Sequence, residues 1–262
     1  MQIGDRLGDR PGPTGTRMTL TDTRIALNGV DYEPHEIPVV YFGRKKRLAY
    51  VHNPKAACTS ALNFLFFANH GYAYLKPGLI HFSKFAFVRL GPQFDPAVIN
   101  AFNELAPETF SIVREPLQRF ISGFITKIVS HEDANYSDLR DLVTSIHDVD
   151  LSADADPAQT CLAFARLIDS QHDRKQIDRH FRPQYLNLGL DGTFRPDTIL
   201  HLEDIESVSA YLSRWMDPAK AQALLARKHG AEPGYAKDKF MSDELVKLVR
   251  KIYARDYELF YA

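Results

Sequence analysis

Val51-His52-Asn53-Pro54-Lys55-Ala56-Ala57-Cys58-Thr59-Ser60 carries the chain from a strand, through a tight turn, into a helix. The run Arg47 to His52 is β-type. Thr59 to His70 is helical in spacing, and Leu62, Leu65, Phe66 and Phe67 leave that helix little polar face, so it is expected to be buried. The connecting loop, Asn53 to Cys58, holds one cation, Lys55, and the helix opens on two hydroxyl residues, Thr59 and Ser60. First-turn N–H groups have no partners within a helix, and with a cation and hydroxyls beside them they suit an anionic oxygen cluster. The string Gly-x4-Gly-Lys-Ser/Thr of nucleotide triphosphatases is absent. The turn therefore reads either as a phosphate loop of another kind or as a surface turn with a solvated lysine.

Upstream, Pro38 to Phe42 is a short β-type run, joined to Arg47–His52 by a basic turn, Gly43-Arg44-Lys45-Lys46-Arg47, that reads as a solvated hairpin. Downstream, Pro96 to Ala106 reads as a helix, Thr109 to Val113 as a strand, and Pro116 to Val129 as an amphipathic helix. In the last, Leu117, Phe120, Ile121, Phe124, Ile125 and Ile128 recur at helical spacing. Pro157 to Gln171 is a helix and Thr198 to Leu202 a strand, followed by Glu203, Asp204 and Glu206 at a helix start. Ser242 caps a final helix with a stripe of Leu245, Leu248, Val249 and Ile252. Trp215, Phe64, Phe66 and Phe67 read as core. Strands alternating with helices predict an α/β domain with a mainly parallel sheet, whose ligands bind beyond the C-terminal strand ends.

A second junction stands there: Phe110-Ser111-Ile112-Val113-Arg114-Glu115-Pro116. Arg114 ends the strand, and Arg119, Ser122 and Thr126 fall off the apolar stripe of the helix. Ser122 is then placed on the side where Arg114 emerges. An arginine and a serine converging so make a phosphate site; the plainer reading is an Arg114–Glu115 pair with Ser122 on the surface. Two such junctions on adjacent α/β units suggest one ligand with two separated phosphates.

The balance of 32 Lys plus Arg against 33 Asp plus Glu gives no global field for nucleic acid or an anionic membrane. Cys58 and Cys161 are too few for a disulfide framework, which points to a reducing compartment. The uncharged stretch Ala56 to Leu75 is too polar for a membrane span, and no secretory signal precedes it, so the expected location is cytoplasmic. Residues 1–35, rich in Gly, Pro, Thr and Asp, read as a loose extension, and 36–262 as one domain. The ten histidines show no His-x3-His, and no Cys-x2-Cys occurs, so no metal site is expected.

From about Arg47 onward the chain resembles the carbohydrate sulfotransferases of the Golgi type, the second large sulfotransferase family. Asn53 to Ser60 is similar to their 5′-phosphosulfate loop. Val113 to Phe124, with its Arg, acid, Pro and a Ser eight residues after the Arg, is similar to their 3′-phosphate segment. His180-Phe181-Arg182-Pro183-Gln184 resembles their His-x-x-Pro-Gln element, and Asp256-Tyr257-Glu258-Leu259-Phe260-Tyr261 their terminal Asp-x-Glu-x-Phe-x-Tyr signature. The resemblance implies a P-loop NTPase-like three-layer fold, the donor 3′-phosphoadenosine 5′-phosphosulfate (PAPS), no metal, and sulfuryl transfer to a hydroxyl of a carbohydrate or similar acceptor. Lys55 would stabilise the bridging oxygen; Lys55, Ala56, Ala57, Cys58, Thr59 and Ser60 would hold the 5′-phosphate, and Arg114 and Ser122 the 3′-phosphate. His81 would be the general base, with His52 the second candidate. His180, Gln184 and His52 are candidates for shaping the acceptor pocket. The family often carries a Cys at the place of Cys58 without using it as a nucleophile. The missing membrane anchor sets the chain apart from the Golgi enzymes as a soluble, bacterial-like member, with a cell-surface polysaccharide, lipid-linked sugar or small metabolite as acceptor. Two other readings stay open: a small-molecule kinase using Glu203 or Asp204, and a non-catalytic nucleotide- or glycan-binding module.

Overall fold

A computed structural model describes residues 25–27, 30–32, 38–83, 86–91, 95–130, 137–147, 155–192, 194–226 and 236–262. Most of the extension at 1–35 lies outside these residues. Within it, β1 (Ile25–Leu27) pairs antiparallel with β2 (Val30–Tyr32).

The main sheet has five strands in the order β5 (Val88–Leu90), β3 (Val40–Phe42), β4 (Leu48–Val51), β6 (Glu108–Val113) and β7 (Thr198–His201). β4, β6 and β7 run parallel, and β3 is antiparallel to both its neighbours. β4 is buried at every position, which explains its unbroken apolar run: a parallel strand covered on both faces has no polar side to show. Alternation along the strands assigns the faces. Leu48, Tyr50, Phe110 and Ile112 join α1 (Cys58–His70), α7 (Ile205–Ser213) and α8 (Pro218–Ala226) in one core. Ala49, Val51 and Val113 face Phe102 of α2 (Pro96–Leu105), with Leu188 and Phe194. The result is the three-layer α/β arrangement expected from the sequence.

A third apolar core joins α3 (Pro116–Phe124), α5 (Pro157–Ser170) and α9 (Asp243–Ile252). It is built from the stripes read in the sequence: Phe120 and Phe124 against Phe164, and Leu245 and Val249 from the Ser242-capped helix. Two elements differ from the sequence reading. The helix after Pro116 does not run unbroken to Val129: it is α-helical to Phe124 and widens into a π-turn over Ile125–Val129. The Ser242-capped helix is not the last, because Tyr253 breaks it and α10 (Ala254–Phe260) follows. α4 (Ser137–His147) and α6 (Gln184–Asn187) are the remaining α-helices among the described residues. No described helix is long and apolar enough to cross a membrane.

Candidate active site

β4 and β6 are neighbours, so both junctions open on one edge of the sheet, at its C-terminal ends. The turn after β4 is held in an uncommon conformation. Lys55 (φ 67°) and Ala57 (φ 57°) both lie in the left-handed region, which costs of order 1 kcal/mol or more for each non-glycine residue. Ala57 stands at the N-cap of α1 and supplies no side-chain cap to its first turn. A left-handed turn running into an uncapped helix start turns N–H groups outward, the geometry of an anion cradle.

The strained turn is clamped from below. Arg119 is only 1% exposed, and its guanidinium donates to the carbonyl oxygens of Pro54, Arg182 and Arg179, each at 2.9 Å. The sequence placed Arg119 off the apolar stripe of its helix. That face is covered by the 179–182 segment, whose carbonyls need a donor. Burial lowers the Arg119 pKa, opposed by Tyr253 and Asp256.

Lys55 reaches across to the second junction. Its Nζ donates to Thr126 Oγ1 at 2.6 Å, in the π-turn, and the Thr126 hydroxyl donates on to the Ser122 carbonyl at 2.8 Å. Arg114 Nη1 donates to the Lys55 carbonyl at 3.3 Å. Burial lowers the Arg114 pKa, with Glu203 and Glu115 opposing; a guanidinium stays charged throughout. Ser122 is half-buried. Glu115 caps α3, accepting from the N–H groups of Leu117 at 3.2 Å and Gln118 at 2.7 Å, with Pro116 at the first helical position.

His81 lies on a 3₁₀ turn, Pro77–Phe82, that Asn63 ties to α1 by donating to the Pro77 carbonyl at 3.0 Å and the Thr59 carbonyl at 2.8 Å. Its Nε2 sits 2.9 Å from Thr59 Oγ1 and 3.8 Å from Cys58 Sγ. His52 is 4% exposed at the end of β4, and its ring meets that of His81 edge-on at 5.8 Å between centroids. Burial pushes the His52 pKa down, against the raising influence of Cys58. Cys58 feels two opposed influences: burial raises its pKa, but hydrogen bonding and charge from His52 and His81 outweigh it and hold the thiol well below its usual range.

Other residues named from the sequence make contacts within the scaffold. Gln184 is fully buried (0% exposed): its Oε1 accepts from Asn53 Nδ2 at 2.9 Å and the Arg114 N–H at 3.0 Å, and its Nε2 donates to the Arg114 carbonyl at 2.8 Å. It fixes the two junctions to each other. His180 Nδ1 pairs with Asp178 at 2.8 Å, and burial lowers its pKa against that pairing. Glu203 accepts from the Glu115 N–H at 2.8 Å and the Tyr261 hydroxyl at 3.2 Å. The basic cluster 44–47 is exposed, as expected of a hairpin turn.

A family model described as the sulfotransferase family matches residues 40–262. The chain belongs to the second sulfotransferase family. The match covers both junctions, His81, the His180–Gln184 element and the C-terminus, and makes sulfuryl transfer the activity class. No match was found among curated proteins or among solved structures. The family's terminal signature here acts from behind the site. Asp256 accepts from the N–H groups of Gln184 at 2.8 Å and Tyr185 at 2.9 Å, and the Tyr257 hydroxyl donates to Glu115.

Proposed function

We propose that the protein transfers a sulfuryl group from PAPS to a hydroxyl of a carbohydrate or a similar small acceptor. The observation that carries the reading is the convergence of Lys55, Arg114 and His81 on one edge of the sheet, with His81 2.9 Å from the Thr59 hydroxyl in the first turn of α1, the helix that follows the Lys55 turn. The uncapped start of α1, with Thr59 and Ser60, suits the 5′-phosphate; Arg114 and Ser122 suit the 3′-phosphate, the group that separates this donor from ATP. Lys55 stabilises the charge gathering on the bridging oxygen as the S–O bond to the nucleotide breaks. In the tautomer protonated at Nδ1, His81 Nε2 takes the acceptor's hydroxyl proton as the new O–S bond forms. Tyr72, Leu75 and Leu79, exposed in the stretch that leads into and forms the 3₁₀ turn of His81, offer apolar surface to the face of a sugar.

The test is transfer of labelled sulfate by point variants. Lys55→Ala and Arg114→Ala each lower the rate by about 10²–10³-fold, as loss of a charge-stabilising donor does, and His81→Ala by about 10²–10⁴-fold. Arg44→Ala, in the exposed hairpin turn, leaves it unchanged. Equal activity in all four rejects the assignment. Calorimetry adds a second arm: adenosine 3′,5′-bisphosphate binds without Mg²⁺ and more tightly than ATP, and the reverse order returns the kinase.

A further inference from the structure

The transfer reaction assigned above uses neither the Cys58 thiol nor His52, yet both are gathered beside His81. A ring nitrogen of His52, the sulfur of Cys58 and a ring nitrogen of His81 all lie within 4.8 Å of one another. They arrive from three elements: the end of β4, the first residue of α1 and the 3₁₀ turn. With Zn–S about 2.3 Å and Zn–N about 2.05 Å, neighbouring S and N ligands of a tetrahedral zinc stand about 3.5 Å apart. Cys58 Sγ and His81 Nε2 are 3.8 Å apart, so a shift of a few tenths of an ångström, within side-chain freedom, brings that pair to zinc distance.

A second observation points to a ligand. His52 is 4% exposed, and its Nε2 is a buried polar atom with no hydrogen-bond partner. Such an atom costs free energy in a folded protein unless something binds it. The donor set, one sulfur and two imidazoles, is thiophilic and borderline-soft. It selects zinc-like ions over Mg²⁺ or Ca²⁺, which prefer oxygen. Three protein ligands leave one tetrahedral position open.

We propose that His52, Cys58 and His81 form a binding site for a thiophilic divalent cation, Zn²⁺ in the first instance, whose occupation draws His81 away from Thr59 and arrests sulfuryl transfer. On binding, the Cys58 S–H bond breaks, its proton leaves to solvent as the S–Zn bond forms, the two imidazoles and the thiolate displace water from the ion, and no electrons change hands. The binding stands on the three ligands alone. The arrest rests on the proposed role of His81 as the base.

The full chain is titrated with Co²⁺, whose tetrahedral thiolate complexes show visible d–d bands and a near-ultraviolet sulfur-to-metal charge-transfer band, and then with Zn²⁺ by displacement and calorimetry. One ion per chain is expected, with a charge-transfer band lost in Cys58→Ser. Zn²⁺ affinity falls by more than about tenfold in Cys58→Ser and in His52→Gln, since even groups that only support a ligand are worth about 10–100-fold. Lys55→Ala, which spares all three ligands, binds as the parent does. Circular dichroism of each variant separates loss of a ligand from loss of the fold, and the parent's band needs no variant. No charge-transfer band in the parent, or unchanged Zn²⁺ affinity in a folded Cys58→Ser, overturns the site. If Zn²⁺ binds through the three ligands and transfer continues, the arrest is overturned, and His81 as base with it. If no ion binds while His81→Ala abolishes transfer, the metal site alone falls and the proposed activity stands.

Discussion

Arg119 shows how one side chain sets the shape of a loop it does not belong to. Three carbonyls of two remote segments converge on its guanidinium, and one of them, that of Pro54, immediately precedes the left-handed Lys55. The clamp supplies the donors that keep a strained turn from relaxing. Arg119→Met retains the buried stem but leaves three carbonyls without a donor. At about 1–3 kcal/mol for each unsatisfied buried group, the loss is expected to be about 3 kcal/mol or more. The denaturant midpoint reads the stability. Binding of adenosine 3′,5′-bisphosphate reads the loop, and it weakens more in this variant than in a core variant of equal stability such as Ile168→Ala. Equal affinities in the two would reduce Arg119 to a fold-stabilising residue only.

At the scale of elements, the two junctions were legible because each is local. A strand, a turn with one cation and a helix opening on hydroxyls can be read from Val51 to Ser60 with no knowledge of the rest of the chain. The same holds for Pro116 after Arg114, and for the apolar stripes of α3, α5 and α9. Periodicity on one helix does not say what covers its other side, and there the reading stopped. The burial of Arg119, which falls off the apolar stripe, could not be read because the 179–182 segment that roofs it lies some 60 positions away. His52, Cys58 and His81 showed no metal-ligand spacing because three separate elements bring them together. The π-turn at Ile125–Val129 left no mark in the apolar pattern either, although Thr126, the partner of Lys55, sits in it.

Contact between α3 and the His180–Gln184 element explains a residue that the pattern gave no reason for. Gly123 is buried where a Cβ would stand 2.9 Å from Phe181 Cε1 and 3.4 Å from the His180 carbonyl oxygen. Any side chain there must push α3 off Phe181, which packs against Phe120 and Phe164. Gly123→Ala is therefore expected to destabilise by about 1–3 kcal/mol through overpacking, despite its gain in helix propensity. Because Ser122 and Thr126 ride on the same helix, the Michaelis constant for the donor rises as well. A variant as stable as the parent, with donor kinetics unaltered, removes this contact from the account.

Over the whole molecule, the C-terminus closes the structure over what the two junctions began. Asp256 lies fully buried under the loops and takes the N–H groups of Gln184 and Tyr185; Gln184 in turn holds Asn53 and Arg114. Tyr257 reaches Glu115, and Tyr261 reaches Glu203, so α10 contacts both sides of the Arg114 turn. Burial raises the Asp256 pKa to about 6, against the lowering effect of the two N–H groups and of Arg119. A folded pKa above the unfolded value of about 3.9 means that the native state holds a proton the unfolded chain has released. The stabilisation is complete below about pH 4 and is lost as pH rises toward 6, by at most about 3 kcal/mol for a shift of this size. Asp256→Asn removes the titration while keeping the shape. Its absolute stability also changes, since the amide nitrogen cannot accept from an N–H, so the informative quantity is the difference between the two stability–pH curves. Measured by urea unfolding, the wild-type stability minus the variant stability should fall between pH 4 and pH 6.5 and be flat above. A difference that rises over that window would mean that the two N–H bonds win over burial, and that Asp256 is an ionised anchor throughout.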